Sequence, residues 1–141
     1  MKSYESSAVI EATPEAVWAV LEDAAGYPSW DSGVVRVEGR IGLGGRITVY
    51  SSISPNRAFP VTVSELVPGV GMTWRGGMPL GLFRGVRTFA LMPEPGGSTR
   101  LEMREEFSGP LLPVMWRMMP DLQPTFDQFT AGLKAWVEAS G

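Results

Sequence analysis

The 141-residue sequence predicts an α+β fold, with a curved antiparallel sheet of six to seven strands, a long C-terminal helix against it and short helices near the N-terminus. Three observations carry this. A short apolar run precedes a capped helix near the start; the stretch from Gly33 to Gly109 alternates between strand and turn signals with no helical period; and beyond Gly109 the apolar spacing returns to three and four. One strand, a helix, six consecutive strands and a terminal helix gather the helices on one face of a meander, and a sheet of that length twists and curls.

The first strand spans Ser6 to Ala12, which is rich in Ala, Val and Ile and bounded by Ser residues and by Thr13-Pro14. Thr13 is placed to cap a helix, with Pro14 at its first position and Glu15 near the positive end of the dipole. Val17, Trp18, Val20 and Leu21 form its apolar face, and Gly26-Tyr27-Pro28 ends it after about three turns. Val34 to Glu38, Arg46 to Ser51, Val61 to Val67 and Met72 to Arg75 are the next strands. They are separated by Gly42-Leu43-Gly44-Gly45, Ser54-Pro55-Asn56 and Pro68-Gly69. Val86 to Met92 and Arg100 to Phe107 flank Pro93-Glu94-Pro95-Gly96-Gly97, a hairpin signal. Phe126, Phe129, Leu133 and Trp136 or Val137 place an amphipathic helix over 121–139, and Pro120 and Pro124 are expected to kink or interrupt the helical stretch around them.

Composition narrows the chemistry. Hydrophobic residues make up 44% and charged residues 19%, an ordinary globular balance that fits one domain over residues 1–141. A net charge of −3 argues against a nucleic-acid partner or a polybasic membrane-surface role. Without cysteine there is no disulfide, thiolate nucleophile or Cys-based zinc site; without histidine the usual neutral-pH base and the commonest metal ligand are missing. Triad hydrolysis and H-E-x-x-H chemistry are therefore excluded. The opening residues lack the apolar run of a signal peptide and no stretch approaches the length of a membrane helix, so a cytoplasmic protein without stable membrane insertion is expected. Gly42-Leu43-Gly44-Gly45 lacks dinucleotide-loop spacing, and no carboxylate spacing suggests a metal; no cofactor is expected.

Ile10-Glu11-Ala12-Thr13-Pro14-Glu15-Ala16-Val17-Trp18, then Leu21-Glu22-Asp23 and Tyr27-Pro28-Ser29-Trp30, resembles the opening of the START-like (SRPBCC) superfamily. That is the helix-grip fold shared by polyketide cyclases, Bet v 1-type proteins and lipid-transfer domains. Arg87-Thr88-Phe89-Ala90-Leu91-Met92-Pro93, Gly97-Ser98-Thr99-Arg100-Leu101 and Glu105-Glu106-Phe107-Ser108-Gly109-Pro110-Leu111 resemble its last hairpin and the segment leading into its terminal helix. The resemblance implies a mostly apolar cavity between sheet and C-terminal helix, holding a lipid, polyketide or aromatic metabolite. It supplies no universal catalytic motif.

Strand parity names the candidate residues. If Leu91 pairs with Leu101, then Phe89 meets Met103 and Arg87 meets Glu105, all on the more apolar and hence inner face, with Phe107 beyond them. An Arg87–Glu105 ion pair on the inner wall is expected. It is either a polar anchor for a ligand carbonyl or an acid/base pair, or else a pair that only closes the core or faces solvent. Met72 and Trp74 share a face by the same parity, as cavity wall or plain core. The apolar Gly76–Phe83 stretch, with Met78 and Phe83, and the Leu112–Met119 stretch, with Met115 and Met119, are expected to rim a cavity mouth together with Tyr27 and Trp30. A homodimer interface is the competing use of these segments. The sequence thus supports a binding or carrier protein for a small hydrophobic molecule. The alternatives are a cyclase or dehydratase-type enzyme working without metal or covalent catalysis, and a stress-response or protein-interaction module.

Overall fold

In the computed structural model, which describes residues 2–140, the chain runs β1 (Lys2–Ile10), α1 (Pro14–Leu21), a 3-10 segment (Ala24–Ser29), β2 (Val34–Glu38), β3 (Arg46–Ser51), β4 (Ser54–Val67) and β5 (Gly71–Gly77). A short 3-10 turn (Pro79–Gly81), β6 (Arg84–Pro93), β7 (Thr99–Ser108), α2 (Leu112–Met118) and α3 (Gln123–Ser140) complete it. The seven strands form one antiparallel sheet in the order β1-β7-β6-β5-β4-β3-β2. The meander is closed on one side by β1, which returns to pair with the last strand.

Several boundaries differ from expectation. β1 starts at Lys2 rather than Ser6 and pairs with β7 along its whole length. β4 starts at Ser54, so the β3–β4 turn is at Ser52 and Ile53 and not at Ser54-Pro55-Asn56. α1 is shorter than expected because the chain leaves it at Glu22 and continues as the 3-10 segment. The helical region after Gly109 is two helices: Met119 takes an extended ψ of 140° ahead of Pro120, and Pro124 falls in the first turn of α3, where its missing N–H costs nothing.

The core lies between the concave face of the sheet and α1, the 3-10 segment and α3. Ile10, Leu101, Leu91, Met103, Phe89, Met72, Trp74, Val63 and Ile47 face it from the sheet; Val17, Trp18, Leu21, Phe126, Phe129, Leu133 and Val137 cover it. Side chains of α3 also satisfy the free edge of β1. Gln123 Nε2 donates to the Glu5 carbonyl and Lys134 Nζ to the Val9 carbonyl, at 2.7 and 2.6 Å, and Glu138 accepts from the Glu11 N–H. An edge capped this way has no free groups at those positions to pair with another strand.

Candidate functional site

The expected hairpin register holds: Leu91 pairs with Leu101, Phe89 with Met103 and Arg87 with Glu105. Arg87 and Glu105 belong to a row across the concave face that reads Val63, Trp74, Arg87, Glu105, Tyr4. Arg87 Nε donates to Glu105 Oε1 at 2.7 Å, and the guanidinium lies 4.7 Å from the ring centre of Phe126 on α3. The two side chains retain 26% and 15% of their exposure. Among the described residues this is the one hydrogen bond of the Arg87 side chain, and no buried side-chain nitrogen or oxygen lacks a partner, so the two terminal nitrogens of Arg87 reach water.

The next row toward the open end of the sheet reads Val61, Gly76, Gly85, Phe107. Two neighbouring glycines stand beside the ion pair, and Val61, Glu105 and Phe107 close over them. A Cβ on Gly85 would stand 2.5 Å from Glu105 Oε2, so the carboxylate occupies the room that glycine provides. Farther along, Val37, Val49 and Phe59 form a row whose side chains are half-buried or exposed. α3 lies over β1 and leaves this part of the concave face less covered. Gly85 and Phe59 were not foreseen from the sequence, and Gly76, expected in a rim segment, lies on the wall instead; all three share the face of Trp74, Arg87 and Val61 by simple alternation.

The ion pair sits between two apolar clusters. Met72, Trp74, Phe89 and Met103 belong to the main core. Phe83 and Phe107 belong to a smaller cluster with Leu112, against which Met115 and Met119 pack. Tyr27 and Trp30 are in the core and not at a rim: Tyr27 contacts Trp74, Trp30 and Phe129, with ring centres 6.5, 5.5 and 5.5 Å away. The 3-10 segment tucks Tyr27 inward, where its hydroxyl donates to the Leu21 carbonyl. Burial pushes that hydroxyl far above the usual tyrosine range, against a lowering pull from Arg87. Met78 is exposed.

These aromatics fill the space directly beneath α3. The hollows described on the surface lie elsewhere: one of about 520 Å³ lined by Glu5, Ser6, Ser7, Glu102, Arg104 and Asp127 among others, and one of about 250 Å³ between the β4–β5 and β5–β6 outer surfaces. Among the described residues no group of acidic side chains is arranged to hold a metal, and no helix is long and apolar enough to cross a membrane.

A curled seven-stranded sheet gripping a terminal helix, with a polar pair on a mostly apolar inner wall, agrees with a sequence profile that matches residues 1–138. That profile describes polyketide cyclase/dehydrase and lipid transport proteins. The chain belongs to this family. No curated protein matches its sequence. Among solved structures, a protein from Mesorhizobium loti superposes with a TM-score of 0.76 at 17% identity, covering 99% of both chains. A START superfamily protein from Mycobacterium smegmatis gives 0.74 at 13% identity over 99% of both chains. An aromatase/cyclase from Streptomyces gives 0.74 at 16% identity, covering 97% of this chain and 93% of that one. At these identities the likeness establishes the helix-grip, START-type fold shared by this family.

Proposed function

We propose that this family member binds a small, largely apolar molecule bearing a neutral oxygen, seated on the less covered strip of the concave face and anchored by Arg87. The observation that carries the reading is the half-used guanidinium. Glu105 takes one N–H of Arg87 and balances its charge, while the terminal nitrogens remain free to donate. Because Glu105 already neutralises the arginine, a carbonyl or hydroxyl suits this anchor better than a second carboxylate. Val49, Phe59 and Val61 supply apolar contact around it.

Acetylnaphthalene and ethylnaphthalene, in which a carbonyl is replaced by a methylene, test the anchor. In the double variant Arg87→Gln/Glu105→Gln no charge is orphaned. A lost charge-assisted hydrogen bond is worth about 1.5–3 kcal/mol, so affinity for the ketone should fall roughly tenfold to hundredfold while that for the hydrocarbon is unchanged. Equal loss for both, or no binding of either, would refute the anchor.

A second reading, a cyclase or dehydratase activity, is favoured by one feature: Glu105 Oε2 has no hydrogen-bond partner among the described residues and lies against Gly85. A carboxylate there can take a proton from a carbon next to a carbonyl that Arg87 polarises. Glu105→Gln separates the two readings. A carrier keeps its affinity, whereas an enzyme loses more than tenfold in turnover of a poly-β-keto substrate while still binding it.

A further inference from the structure

We propose that the end of the molecule built from the Met78–Phe83 loop and α2 docks on the surface of an anionic lipid bilayer. Leu80 is 96% exposed, Met118 75% and Val114 55%, and Met78 is exposed beside them in the chain. They belong to one end of the fold. The Met78 N–H bonds to the Phe83 carbonyl and closes the loop; the Leu111 N–H bonds to the Leu82 carbonyl and seats the loop on the start of α2. The inner sides of the two segments share the small cluster of Phe83 and Leu112. On α2, Val114 and Met118 are one turn apart, and Leu112, Met115 and Met119 are turned to the cluster instead.

Two cations flank these apolar tips and a third lies across α2 from them. Arg84 Nε lies beside Gly81, Arg117 precedes Met118 on α2, and Lys2 Nζ is 5.8 Å from the ring centre of Trp116. None of the three forms an ion pair among the described residues, although the chain as a whole carries −3. A second copy of the chain is a poorer occupant, because a two-fold contact would bring two sets of these cations into one interface with no described anion to pair them. An exposed apolar tip flanked by Arg84 and Arg117 suits a headgroup layer: the side chains enter the acyl boundary and the cations meet phosphates.

Co-sedimentation with vesicles tests this independently of any ligand on the concave face. The protein should sediment with phosphatidylcholine–phosphatidylglycerol vesicles, much less with phosphatidylcholine alone, and less as salt rises. Leu80→Asn with Met118→Gln should cut partitioning more than tenfold without lowering the thermal midpoint, since both side chains are exposed and Asn tolerates the φ of 62° at position 80. Arg84→Gln and Arg117→Gln should each cost roughly fivefold. The proposal is overturned if the parent protein stays in the supernatant with the anionic vesicles, if the variants sediment like the parent, or if the substitutions only dissolve a dimer.

Discussion

Gly132 stands in α3 where the helix crosses the loop that leads from the 3-10 segment into β2. A Cβ at this position would overlap the Asp31 carbonyl and come within 3.3 Å of Trp30 Cε3. The residue lets backbone approach backbone, and Gln128 Nε2 fixes the same loop by donating to Asp31 Oδ1 at 2.7 Å. Alanine is a better helix former than glycine by about 1 kcal/mol, so helix propensity alone favours Gly132→Ala. The overlap is with main chain, which cannot rotate away, and forced overpacking costs about 1–3 kcal/mol plus the displacement of Trp30 from Phe129. Gly132→Ala should therefore lower the urea midpoint with little change in slope. A midpoint equal to or above that of the parent would mean that α3 is not held this close to the loop.

Among the elements, α1 depends most on a local signal. Thr13, at φ −71° and ψ 158°, accepts from the Ala16 N–H through its Oγ1 at 3.2 Å, and Pro14 follows at the first helical position. Thr13→Ala should cost about 1 kcal/mol, read as a fall in thermal midpoint, and Thr13→Ser should restore most of it. That cap was legible because it is local chemistry, as was the break at Pro120. The Arg87–Glu105 pairing was legible too, since the β6–β7 hairpin has a short glycine-rich loop and clear alternation on both strands. The start of β4 was not. Residues 55–60 are exposed on both faces, so they lack the period of two that marks a half-buried strand. The first half of β1 was missed for a related reason: only Tyr4 among its first four residues packs inward, and Lys2, Ser3 and Glu5 read as a polar tail. The inward turn of Tyr27 depends on how the 3-10 segment folds beneath the sheet, which no local pattern encodes.

At the scale of the whole molecule, Tyr27 couples folding to alkaline pH. It packs against Trp74, Trp30 and Phe129, and its buried hydroxyl donates to a backbone carbonyl. Burial raises its folded-state pKa well above the value near 10 that it regains on unfolding. Below about pH 10 the residue is protonated in both states, and its contribution to stability does not vary with pH. Above that pH the unfolded chain releases the proton while the folded chain retains it, so the unfolded state binds fewer protons and stability falls as pH rises, by up to about 1.4 kcal/mol per pH unit for this one group. Urea unfolding between pH 9 and 11 should show that decline. Tyr27→Phe keeps the ring contacts and removes the ionisable group. It should lower stability at neutral pH by about 1 kcal/mol, the worth of the hydrogen bond to the Leu21 carbonyl, and flatten the alkaline decline. An alkaline slope unchanged in Tyr27→Phe would place the linkage on other groups, and would mean that the hydroxyl of Tyr27 reaches solvent in the folded protein.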